Sequence, residues 1–177
     1  MVSFEIQKDP RVPATQQDLE AQFALLLRIR DRLSETHEAI TAIRGFRQQI
    51  EQWEQRVQGY EGQEAIQDAG KVLKEKLKTI EEELIQVKAK TRQDTLNHPA
   101  KLNVKLSALT GVVASADAAP TEQAYQVFDY LSERVESELM RLQECIDTDL
   151  AAFNRLIREA DLSAVMRPTP SKNGRDE

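Results

Sequence analysis

Few side chains in this 177-residue sequence are suited to chemistry, and their spacing decides what each can do. There are two histidines and one cysteine. His37 stands in Ser34-Glu35-Thr36-His37-Glu38, and His98 precedes Pro99. A di-metal carboxylate site in a helical bundle draws Glu-x-x-His pairs from two helices. Position 34 is Ser and position 95 is Thr, so neither histidine has the required glutamate three residues before it. No His-Glu-x-x-His occurs, and these residues are not expected to hold a metal. Cys145 has no histidine or asparagine in helical register to activate it, so a packed, unreactive thiol is expected. There is no Gly-rich phosphate loop, serine nucleophile elbow or cysteine pair. The sequence therefore offers no catalytic, cofactor-binding or metal residue, and no cofactor is expected.

The charged residues cluster without converging. Glu81-Glu82-Glu83 is a carboxylate run, but three consecutive helical residues splay over most of the circumference, so a solvated face is expected. Lys71, Lys74, Lys76, Lys78, Lys88, Lys90 and Arg92 make a basic stretch that lacks interleaved aromatics for base stacking. Residues 122–161 are the reverse, with 10 Asp or Glu against 4 Arg. Complementarity between the exposed faces of these two segments is the expected use, each pair contributing under ~1 kcal/mol. A net charge of −6 disfavours nonspecific binding to nucleic acid.

The elements that carry these residues are helices. Charged residues make up 31% of the chain and aromatics 5%, with Glu, Gln, Lys, Arg, Leu and Ala dominant, a balance that excludes sandwiches, barrels and α/β folds. No apolar run is long enough to span a membrane. Thr15-Gln16-Gln17-Asp18 fits a capping box and predicts a helix from Gln16 to about Gln58. Its seam steps by 3 or 4 through Leu19, Phe23, Leu26, Ile29, Leu33 and Thr36 to Trp53 and Val57. Gly59 and Gly62 end it. A second helix is expected from about Gln63 to about Gln93, with Ile66, Ala69, Leu73, Leu77, Ile80, Leu84 and Val87 inward. After a break at 94–99, Pro99 suits the first position of a third helix carrying Leu102, Leu106, Leu109 and Val113. A fourth is expected from about Thr121 to Asp161, its seam running from Ala124 and Phe128 to Phe153 and Ile157. The steps of 3, 4 and 4 along it predict a nearly straight rod.

These lengths predict an all-α, elongated antiparallel three-helix bundle, up-down-up, whose middle helix is broken near 94–99. Phe23, Phe128 and Val113 are expected at one end, and Trp53, Phe153 and Ile66 at the other. Residues 1–12 read either as a terminal strand at Ser3–Gln7 followed by a Pro-rich linker or as a disordered arm, residues 13–162 as the helical domain, and residues 163–177 as a disordered tail. Both end segments are expected to add little stability. The opening Met1-Val2-Ser3-Phe4-Glu5 has neither the basic nor the apolar region of a signal peptide, so an exported parent would carry this chain as an internal piece.

Several of these stretches resemble one family. Phe4-Glu5-Ile6-Gln7-Lys8-Asp9-Pro10-Arg11, Asp18-Leu19-Glu20-Ala21-Gln22-Phe23 and His37-Glu38-Ala39-Ile40 match first, followed by Leu102-Asn103-x-Lys105-Leu106, Ala116-Asp117-Ala118-Ala119-Pro120-Thr121 and Asp149-Leu150-Ala151-Ala152-Phe153-Asn154. Together they resemble the C-terminal helical region of bacterial sortilin-like β-propeller proteins, often labelled BNR-repeat glycosyl hydrolases. The resemblance implies an exported parent, periplasmic or extracellular, in which a propeller and a small β-sandwich precede this region. It implies a noncatalytic accessory domain whose partner is the parent's own propeller and sandwich or another protein. No hydrolase residue of the propeller lies in this chain. A free-standing cytoplasmic coiled-coil adaptor is the alternative.

Overall fold

Thr15 starts the first helix by a reciprocal pair of bonds. The Asp18 backbone N–H donates to Thr15 Oγ1 at 3.1 Å, and the Thr15 backbone N–H donates to Asp18 Oδ2 at 2.7 Å. Two of the donors left over at a helix start are satisfied in this way. The computed structural model describes Ser3, residues 8–89, Asp94 and residues 97–161. Among the described residues all regular structure is helical, in four helices, the fourth made of Glu122–Cys145, a π turn and Ala151–Glu159. Helix α1 (Gln16–Arg56) has 41 residues, about 60 Å at 1.5 Å per residue. Val57 closes it as a buried cap, and Gly59 and Gly62 turn the chain with φ near +83° and +81°, a region that side chains with a Cβ avoid.

Helix α2 (Gln63–Leu84) packs on α1, and Gly70 lies against Glu54 and Ile50 of α1. A Cβ there would stand 2.6 Å from Glu54 Oε1 and 3.1 Å from Ile50 Cγ2. Glu54 is not free to yield, because it is held by Lys74 Nζ at 2.5 Å. Helix α3 (Leu102–Val113) and helix α4 (Glu122–Cys145) follow. A π-helical turn (Ile146–Leu150) then leads without a break into α5 (Ala151–Glu159). Eight residues separate Cys145 from Phe153, which in plain α-helix puts them about 80° apart. The wider π turn absorbs one residue and brings Phe153 back to the face of Cys145, so both are buried. The core runs along α1, where Leu25, Ile29, Ile43 and Ile50 meet Leu73, Leu77, Leu84, Leu106 and Val135 of the other helices. Each such side chain contributes roughly 1.5–3 kcal/mol on burial.

Several sequence expectations are corrected. Helix α2 stops at Leu84, not near Gln93, and Ile85 is extended at φ −139° and ψ 149°. Its last turn holds Glu81, Glu82 and Glu83 and no basic residue, which opposes the helix dipole. The excursion that follows is pinned at its base by Gln86 Nε2 on the Pro99 carbonyl at 3.1 Å and Lys101 Nζ on Glu83 at 3.0 Å. Pro99 therefore lies outside α3, whose N-cap is Lys101, and Val87 is exposed.

Phe23 is 61% exposed, and Leu25, outside the expected seam, is fully buried. Gln22, next to Phe23, donates its amide to the Val113 and Ala116 carbonyls at 2.7 and 2.6 Å. The Val113 carbonyl, left over at the end of α3, gains a partner in this way. Trp53 is half-buried, with the Arg56 guanidinium 5.0 Å from its ring. The strand at Ser3–Gln7, apart from Ser3 itself, and the tail at 163–177 lie outside the described residues.

The glutamate run is not a solvated face. Glu81 is buried and accepts from Arg44 Nε at 2.6 Å and Arg47 Nη1 at 2.8 Å. Glu83 instead pairs with Lys101 and Arg134. Glu81→Ala should cost about 1–3 kcal/mol in urea unfolding, and Arg44→Ala with Arg47→Ala should cost more than the two singles together, since either arginine alone still pairs the buried charge. The capping box carries a pH signature. Hydrogen bonds from Thr15 hold the Asp18 carboxyl below its ordinary value of 3.8. Its stabilisation is present in full above that value and lost as pH falls through the lowered one. The gap in melting temperature between wild type and Asp18→Ala should therefore be open at pH 7 and close at pH 2.

Candidate interaction surface

Helix α3 is apolar on two sides. Leu102, Leu106, Leu109 and Val113 are buried, while Val104 and Val112 are 47% and 64% exposed, with Ala108 between them at the same four-residue step. Only Lys105 is charged in its twelve residues. A helix with a second apolar stripe beyond its buried one has apolar surface left to cover. Helix α4 repeats the arrangement. It buries Ala124, Phe128 and Leu131, and leaves Val127 and Tyr130 45% and 57% exposed. The two outer stripes face one another across a groove of ≈ 550 Å³, floored by Leu109 and Leu131 and walled by Ala108, Val112, Val127 and Tyr130. Lys105, Thr121 and Gln123 are the polar residues at its rim. This apolar floor with a thin polar rim suits another apolar surface.

The chemistry-bearing residues of the sequence do not gather at this groove. His37 is exposed on α1, and His98 is half-buried ahead of α3. Among the described residues no three His, Cys, Asp or Glu side chains form a group that could hold a metal, and no helix is long and apolar enough to cross a membrane. Cys145 is buried, and burial, seconded by the negative charge of Asp149, pushes its thiol above the ordinary value. Asp149 also accepts from Lys76 Nζ at 2.7 and 2.8 Å, which raises the lysine. The thiolate is the reactive form, so this surrounding quiets the cysteine.

A second cleft lies between α1 and α4. The Arg28 guanidinium sits 4.5 Å from the Phe128 ring and pairs with Asp129 at 3.2 Å, and Arg32 pairs with Glu136 at 2.8 Å. Its charged lining is Arg28 and Arg32 against Asp31, Glu35, Asp129, Glu133 and Glu136, an acidic excess.

Sequence reasoning singled out neither groove. The usable signal was Val104-x-x-x-Ala108-x-x-x-Val112, a second apolar stripe on a helix whose first stripe is complete. No family model matches the chain, and no curated protein or solved structure matches it either.

The thiol gives a direct check. Cys145 in the folded protein should react with an aromatic disulfide reagent at pH 8 at least about tenfold more slowly than in urea-unfolded protein.

Proposed function

We propose that this chain is a noncatalytic helical interaction domain that receives an apolar protein surface between α3 and α4. The observation that carries the reading is the groove flanked by exposed Val112, Val127 and Tyr130. Its size and apolar lining fit a partner's side chains better than a polar metabolite.

We further propose that the helices form an up-down-up rod of three layers, with α2 and α3 sharing the middle layer. Support comes from the ion pairs. From Arg28–Asp129 to Arg32–Glu136 both residue numbers rise, as for parallel neighbours. From Arg44–Glu81 to Glu54–Lys74 one rises and the other falls, as for antiparallel ones. From Arg134–Glu83 to Asp149–Lys76 the same opposition holds for α2 against the fourth helix.

The wider setting proposed is an accessory domain of an exported, sortilin-like β-propeller protein. It rests on the Phe4–Arg11 and Ala116–Thr121 stretches that resemble that family. A cytoplasmic adaptor is the competing setting, and the reading frame upstream of Met1 separates them. Propeller-coding sequence there supports the first, and a native start codon supports the second.

The groove itself is tested by Val112→Asp together with Tyr130→Ser. Calorimetric titration against the separately expressed propeller and sandwich should show affinity at least about tenfold weaker than for wild type. Circular dichroism should be unchanged, because both side chains are exposed. Equal affinity in the variant removes the groove from the interface.

A further inference from the structure

The outer face of α3 is built to match itself. Val104, Lys105, Ala108, Gly111, Val112 and Ser115 are all exposed. At 100° per residue, Ala108 stands at the centre of an arc of about 120°, with Val104 and Val112 about 40° to either side and Lys105 and Gly111 about 60° to either side. We propose that the free chain closes the α3/α4 groove with a second copy of itself, the two α3 helices lying antiparallel about a twofold axis at Ala108. The second copy can take the groove only if the groove is a protein-binding surface, so the proposal rests on that reading, and another protein docking there would displace it.

Three observations point to this occupant. The first is the symmetry of the face. A twofold contact needs a surface that complements itself, residue i on j and j on i. Antiparallel pairing about Ala108 sets the two Ala108 residues together, where their small side chains let the helices come close. Val104 of each copy then comes level with Val112 and Gly111 of the other, and the aliphatic stem of Lys105 lies along that Val112. Helix α4 lies on the same side of both α3 helices, so Val127 and Tyr130 of each copy close over the groove of the other.

The second is Gly111. A Cβ there would meet nothing within 4 Å in its own chain. Glycine weakens a helix, and no packing within the chain calls for it at this position. Beneath Val104 of a second copy the missing side chain leaves room for close approach.

The third is charge. The chain carries a net charge of −6, so two copies repel over most of their surfaces. The α1/α4 cleft alone has five carboxylates. The α3/α4 groove has no Asp or Glu in its lining and one lysine. Two copies can meet there without setting acid against acid. The contact is short, since α3 is about 18 Å long, and the dimer belongs among the small, readily dissociating interfaces.

The test is sedimentation velocity on the full chain from about 1 to about 300 µM, the range of a weak association. Wild type should pass from monomer to dimer with concentration. Val112→Asp should raise the dissociation constant at least about tenfold, with an unchanged circular dichroism spectrum because the side chain is exposed. In a Cys145→Ser background, Ala108→Cys should close a disulfide between two chains under mild oxidation. Packed helices stand about 8–10 Å apart and each Cα lies about 2.3 Å from its axis, which leaves two cysteines on a twofold within disulfide reach. Val72→Cys, exposed on α2, should stay reduced. A chain that is monomeric throughout, a dimer untouched by Val112→Asp, a ladder of higher oligomers, or a link at 108 no faster than at 72 would each overturn the second copy. None of these removes the groove as a receiver of another protein, which stands or falls on the calorimetric comparison with Val112→Asp and Tyr130→Ser.

Discussion

A 41-residue helix with an apolar stripe along its length cannot stand alone in water, and this chain is organised around covering α1. None of the partners is as long. Helix α2 covers the distal half through Leu73, Leu77 and Leu84, and α3 takes over near the N-terminus through Leu106 and Val113. The break between them comes at the end of α2, where three carboxylates and no basic residue in the last turn make a poor place to continue a helix. Gln86 on the Pro99 carbonyl and Lys101 on Glu83 tie the end of α2 to the start of α3.

Charge does more than decorate this scaffold. Glu81 sits at the level where α2 is about to leave α1, and two arginines hold it there. A buried carboxylate with fixed partners is worth little as net stabilisation, yet any displaced register strands it. Its role is to choose one sliding position between two helices whose aliphatic stripes would tolerate others. Gly70 has a similar effect through shape, since a Cβ there would meet the Glu54 and Ile50 side chains of α1.

Much of this was legible in the residues. The capping box at Thr15, the glycine turn at 59–62, the N-cap at Thr121 and the buried α3 row are local signals, and local signals survive folding. What failed was decided by neighbours distant in sequence. Phe23 fitted the seam as well as Leu25, and the bonds from Gln22 beside it reach the Val113 and Ala116 carbonyls, 91 and 94 residues away. Glu81 read as solvated because its arginines lie 34 and 37 residues away. The α3/α4 groove went unnoticed because a second apolar stripe on a short helix looks like ordinary core until the first proves sufficient. Helix α2 read too long because periodicity was followed past the point where its charges had turned against it.

The π turn at Ile146–Leu150 makes the fourth helix unevenly tolerant of changes in chain length. The turn already stores one surplus residue. Excising a residue there lets the segment relax to ordinary α-helix, and Phe153 returns to the same face as Cys145 by the shorter route, seven residues being nearly two whole turns. The same excision in the middle of α1 has no such slack. It swings everything beyond it by about 100° and carries Ile43 and Ile50 out of the core. Homologues that gain or lose single codons should therefore concentrate those events at this turn, and the rest of the long helices should hold their lengths fixed.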